Sequence, residues 1–207
     1  DIAAAADKVA SELRPDDGAQ YDQLIEIDLN LLKPLINGPH SPDRAHKVGA
    51  GVGDAARENN WPLEVSAALI GSCTNSSYED ITRAASVARQ AAARGLRSKT
   101  ELLISPGSEQ IRATIERDGL MADLEAIGAT VLANACGPCI GQWERHADVT
   151  AKPNSIVNSF NRNFPKRNDG SANTLSFVTS PDTVIAIALA GRLDFDPTVD
   201  TITAPDG

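Results

Sequence analysis

The sequence predicts an α/β chain: an open, mostly parallel sheet in three layers, with helices on both faces. Three observations predict it. From residue 63 onward, apolar runs of strand length alternate with amphipathic stretches of helix length. Gly- or Pro-punctuated loops separate each run from the helix after it. The unusual motifs of the chain follow those runs, where open parallel sheets gather their ligands.

Residues 2–13 read as a helix stopped by Pro15 and by D-D-G at 16–18. Residues 23–29, Q-L-I-E-I-D-L, alternate apolar and polar like a half-buried strand. Ile36 to Pro42 is a Pro/Gly-punctuated surface connection, and a short helix is expected around 43–58. Leu63–Ile70 is a strand bounded by Pro62 and Gly71. A loop at 71–77 leads to an amphipathic helix over Tyr78–Arg94, with Ser77 and Asp80 forming a capping box and Gly95 as its stop. Strand 100–104, helix 109–118, helix 120–126 and strand 130–133 follow. Strand 155–160 runs into N-R-N-F, and Ser180-Pro181 opens a last helix, 182–190, ended by Gly191. The chain thus divides into 1–62, a helix, strand and linker packing on the core, and 63–207, the α/β domain proper.

With 207 residues, 42% hydrophobic, the chain is long enough for a core of its own. Aromatics make up only 4%, so that core must rest on Val, Ile, Leu and Ala. The formal charge is −9 and no Lys/Arg run exceeds two residues, which argues against a nucleic-acid partner. An acidic chain that handles an acidic ligand must concentrate positive charge locally, so single arginines in polar loops matter. No apolar run approaches the ~20 residues of a membrane helix. The N-terminus lacks a signal-peptide pattern. Three cysteines without a disulfide pattern suit a reducing compartment, the cytosol or the mitochondrial matrix.

Those cysteines carry the chemistry. Cys136 and Cys139 form a C-x-x-C turn in A-N-A-C-G-P-C-I-G-Q-W, and Cys73 stands 63 residues before Cys136, in G-S-C-T-N-S-S. Three thiolates on a four-iron cluster leave one iron free to act as a Lewis acid. A redox dithiol, a zinc site with His146 as fourth ligand, and inert buried thiols fit the same spacing. The loops holding Cys73, Pro106-Gly107, Cys136/Cys139 and Arg162 should converge on one sheet edge.

The segments G-S-C-T-N-S-S-Y-E-D (71–80), P-G-S-E-Q-I-R-A-T-I-E-R-D-G (106–119), A-N-A-C-G-P-C-I-G-Q-W (133–143) and N-S-F-N-R-N-F (158–164) resemble aconitases, aconitate hydratases of the mitochondrial type. Residues 21–39 look similar to the same family. Homoaconitases and isopropylmalate isomerases share the shorter elements, and a non-catalytic metal- or RNA-binding relative is a further alternative. The resemblance implies the family's cluster-binding third domain, within a longer polypeptide that interconverts citrate and isocitrate through cis-aconitate. It implies a 4Fe–4S cluster on Cys73, Cys136 and Cys139, and a tricarboxylate held by Asn161, Arg162 and Arg167. A planar, permanently charged guanidinium suits a carboxylate, although an arginine in a polar loop more often only faces water. No proton-transferring group is expected here, so the chain alone should be inactive, its remaining domains supplying the base. His40, His46, Lys166, Glu79 and Asp80 receive no catalytic role.

Overall fold

The computed structural model describes residues 5–7, 9–10 and 13–205. They fall into two units, Asp1–Leu32 and Lys33–Gly207. In the first, residues 5–7 and 9–10 are helical, Leu13 lies in a turn, and residues 2–4, 8, 11 and 12 of the expected 2–13 helix lie outside the described residues. Residues 23–29 form no strand. Leu24, Ile25, Ile27 and Leu29 are all exposed. Alternation prepares one face of a strand for burial, but a ladder also needs a neighbour's backbone, and among the described residues this segment pairs with none.

The second unit is built on one seven-stranded sheet, ordered β2-β1-β7-β6-β3-β4-β5. Its strands are β1 (Leu35–Asn37), β2 (Ala45–Lys47), β3 (Val65–Ile70), β4 (Glu101–Ile104), β5 (Ala129–Val131), β6 (Asn154–Asn158) and β7 (Thr174–Val178). The run from β7 through β6, β3 and β4 to β5 is parallel throughout. At the β7 side, β1 and β2 add an antiparallel margin. Residues 33–62, grouped with the leading segment in the sequence reading, therefore enter the main sheet. The loop expected at 36–42 begins as strand β1 and contains the β1–β2 connection. The helix expected from 43 starts later, as α1 (Ala50–Asn59), because 45–47 are claimed by β2. Strand β7 had no counterpart among the expected elements.

Four helices follow the sequence signals closely, α2 (Tyr78–Ala92), α3 (Glu109–Arg117), α4 (Leu120–Ala126) and α6 (Pro181–Ala190), whereas the four-residue α5 (Ala147–Thr150) had no counterpart among the expected elements. The capping box of α2 is complete: Ser77 Oγ accepts from the Asp80 N–H while the Asp80 carboxylate accepts from the Ser77 N–H. At α6 the Ser180 hydroxyl instead donates to Thr183 Oγ1, at 2.8 Å.

Pleating splits the strand residues between two faces. Ala68, Ile70, Leu102, Ile104 and Val157 pack with buried residues of α1–α4 and α6 in the main core. Their alternates Ala67, Leu69, Leu103 and Ile156 pack on the other face with Cys139 and Phe160, flanked by Leu132 and Trp143. The C-x-x-C turn thus helps cover the second face. No helix among the described residues is long and apolar enough to cross a membrane.

Candidate functional site

Parallel β3, β4, β5 and β6 send the loops after them out of one sheet edge. Cys73 sits in the loop between β3 and α2, and Pro106-Gly107 in the loop between β4 and α3. Cys136 and Cys139 follow β5, where Gly137–Ile140 forms a 3-10 turn. Asn161, Arg162 and Arg167 follow β6. The expected convergence of loops is therefore what the sheet delivers.

Short polar contacts tie these loops together. The Gly71 N–H donates to Ser159 Oγ at 3.1 Å, and that hydroxyl donates to the Asn75 carbonyl at 3.2 Å. The Asn75 side chain returns a bond to the Ser159 carbonyl at 3.0 Å. The Cys73 loop is thereby fixed to the start of the segment after β6. Further along that segment, Asn161 Oδ1 lies 4.0 Å from Cys139 Sγ, and Asn168 Nδ2 donates to the Pro138 carbonyl at 2.9 Å. Asn163 Nδ2 donates to Asn37 Oδ1 at 3.2 Å and to the Ser41 carbonyl at 3.1 Å. So one stretch, 159–168, grips both cysteine-bearing loops and the β1–β2 connection. Sequence reasoning singled out Asn161 in that stretch and missed Ser159, Asn163 and Asn168, which hold its shape. Their signal is the density of Asn and Ser after a strand, residue types that bond to nearby backbone.

The cysteines differ in environment. Cys139 is buried, while Cys73 and Cys136 are exposed, and all three are free thiols. Among the described residues no three His, Cys, Asp or Glu side chains are gathered closely enough to hold a metal. His146, weighed as a zinc ligand, is exposed and stands at the N-terminus of α5. The chemistry of the donor set nevertheless suits an iron–sulfur cluster. Three unpaired thiols stand on glycine-containing loops at one edge, with Ser72 Oγ buried beside Cys73 and lacking any partner.

Arg162 is exposed and donates to the Asn161 carbonyl at 2.7 Å. Arg167 is half-buried, and its Nε is buried without an acceptor. An unsatisfied guanidinium N–H is costly, and a carboxylate is its best complement. A cavity of about 320 Å³ opens beside Arg162, lined also by Asn37, Phe160, Asn161 and Phe164 but not by Arg167. A larger one, about 680 Å³, is lined by Glu64, Lys99, Lys152 and Arg192 and includes none of the expected site residues. Near the smaller cavity, burial and the Arg44 charge lower the pKa of His40.

Residues 1–191 match the model of the aconitase family (aconitate hydratase). The chain belongs to the aconitase family. It is 56% identical, over its whole length, to the probable mitochondrial aconitate hydratase of Caenorhabditis elegans, of which it covers 26%. It is 56% identical over 96% of its length to the mitochondrial aconitate hydratase of Arthroderma benhamiae, covering 25% of that protein. With the enzyme of the same name from Gracilaria gracilis the identity is 53%, over all of this chain and 26% of the relative. The chain thus spans about a quarter of the length of these curated relatives. Within the aconitase family frame, the segment 159–168 is the piece that physically joins the cysteine loops to the arginines.

Proposed function

We propose that this chain is the cluster-binding and carboxylate-binding part of an aconitate hydratase, the enzyme that isomerises citrate to isocitrate through cis-aconitate. The observation that carries the reading is the bridging role of 159–168. The same ten residues touch Cys139, brace the Cys73 loop and hold Arg162 and Arg167. Cys73, Cys136 and Cys139 would hold a 4Fe–4S cluster. When bound, such a cluster supplies a Lewis-acid iron that carries no thiolate.

The chain's own residues bind and orient. Arg167 offers a buried, unsatisfied N–H to a substrate carboxylate, with a two-pronged geometry that also fixes its direction. Arg162 adds a second permanent charge at the cavity wall, and Asn161 offers an amide beside Cys139. Together they give an acidic chain a local positive patch for an anionic tricarboxylate. The groups that move protons belong, in this reading, to the rest of the polypeptide, which is also this chain's principal partner. The compartment is the mitochondrial matrix.

Reconstitution with iron and sulfide without oxygen tests the assignment. The wild-type chain should gain a broad visible absorption and about four irons per chain. Cys136→Ser should gain neither. Uptake of zinc without any iron–sulfur chromophore, or equal iron in the wild type and a variant with all three cysteines replaced by Ser, would sink the reading.

A further inference from the structure

Beyond the C-x-x-C turn the chain folds back inward at Trp143 and Arg145. The Arg145 side chain is 5% exposed and lies 3.3 Å from Asp169, whose side chain is 0% exposed. Its other donor contacts are Asn154 Oδ1 at 2.8 Å and Ser66 Oγ at 3.0 Å, and its guanidinium sits 4.6 Å from the centre of the Trp143 ring. Asp169 also accepts from the Thr174 hydroxyl at 2.7 Å and from the Ser171 N–H at 3.0 Å. A buried ion pair tends to cost more in lost hydration than it returns unless every lone pair and proton is used. Here three guanidinium N–H contacts and three bonds to the carboxylate are made inside the protein, so displacing either residue would strand buried polar groups.

What the pair joins gives it meaning. Trp143 packs against the second-face cluster that contains Cys139, Leu69, Ile156 and Phe160. Asp169 stands two positions after Arg167, and the intervening Asn168 already grips Pro138, between the two cysteines. We propose that Arg145 and Asp169 are positioning residues that set the C-x-x-C turn against the segment carrying Arg167. They thereby fix the spacing between the metal-holding thiols and the carboxylate-binding guanidinium. The inference rests on the roles given above to Cys139 and Arg167. Lysine cannot replace Arg145, because it keeps the charge but loses both the fork and the stack on Trp143.

Two measurements test this, one of them independent of metal. In the metal-free chain, Arg145→Lys should speed amide hydrogen exchange by at least about tenfold at Gln142, bonded to Gly137, and at Gly170, bonded to Lys166. Both sites should loosen together; acceleration at one alone, or at neither, overturns the proposal. In the reconstituted intact enzyme, Arg145→Lys should raise KM for citrate about 10- to 100-fold at unchanged iron content. Iron and kcat falling together at constant KM would mark the pair as merely structural. Asp169→Asn, nearly unchanged in volume, is the second variant and should behave alike, and it decides the matter should Arg145→Lys fail to fold. A wild-type protein that takes up no cluster would defeat the site assignment, while the exchange measurement would still decide the coupling of the two segments.

Discussion

Arg167 is where residue chemistry is most directly legible. A half-buried guanidinium with an unpartnered Nε is waiting for an acceptor. Arg167→Lys in the intact enzyme should raise KM for citrate by about tenfold or more while leaving the cluster spectrum intact, since lysine retains charge without the paired donors. Loss of cluster assembly with unchanged substrate affinity would reverse the role assignment. A second residue effect lies on the helical side. The Arg117 guanidinium, and then the Tyr78 hydroxyl at 2.9 Å, hold the Asp118 carboxyl down at about 2. A depressed carboxylate stabilises the fold above its ordinary value near 3.9 and loses that contribution as pH falls toward 2. Asp118→Asn should therefore be less stable than the wild type at pH 6, and the two should converge near pH 2 in denaturant titrations. A gap that is constant with pH would point to packing instead.

At the scale of elements, the loop after β3 is set by Gly71. Its φ is +129°, and a Cβ there would collide with the Ser105 carbonyl. Gly71→Ala should destabilise the chain by more than about 1 kcal/mol and displace the Cys73 loop, because backbone strain and backbone contact add. Urea midpoints at constant slope check this, and a variant as stable as the wild type would show that the loop adapts. Ser77→Ala removes one half of the α2 capping box and should cost about 1 kcal/mol. These helices were legible because caps and periodicity are local. Strand 23–29 was misread for the same reason: its alternation is strand-like, but no other strand meets it among the described residues. Conversely β7 buries the polar Thr174 and Ser176 along with Phe177 while Leu175 and Val178 are only half-buried, so apolar residues do not mark its buried positions.

For the whole molecule, the continuous core of Lys33–Gly207 carries the prediction that the chain folds without the rest of its polypeptide. It should unfold in one cooperative transition in chemical denaturant, and once reconstituted it should hold iron and sulfide yet fail to hydrate cis-aconitate. Turnover near that of an intact aconitate hydratase would place the proton-transferring base within these 207 residues and overturn the division of labour proposed here.

The order of β3, α2, β4, α3, α4, β5, β6 and α6, the caps of α2, and the loop positions of the three thiols and the arginines were all written in the sequence. Each depends on residues a few positions apart, where periodicity and turn chemistry act. Only the tertiary structure decided that β1 closes antiparallel on β7, more than 130 residues away, through the Asn37–Val178 pair. It alone joined Arg145 to Asp169 and Ser66, and bound the Cys73 loop to Ser159. Such pairings are chosen by which distant groups best satisfy one another once buried, and that competition leaves no periodic trace along the chain.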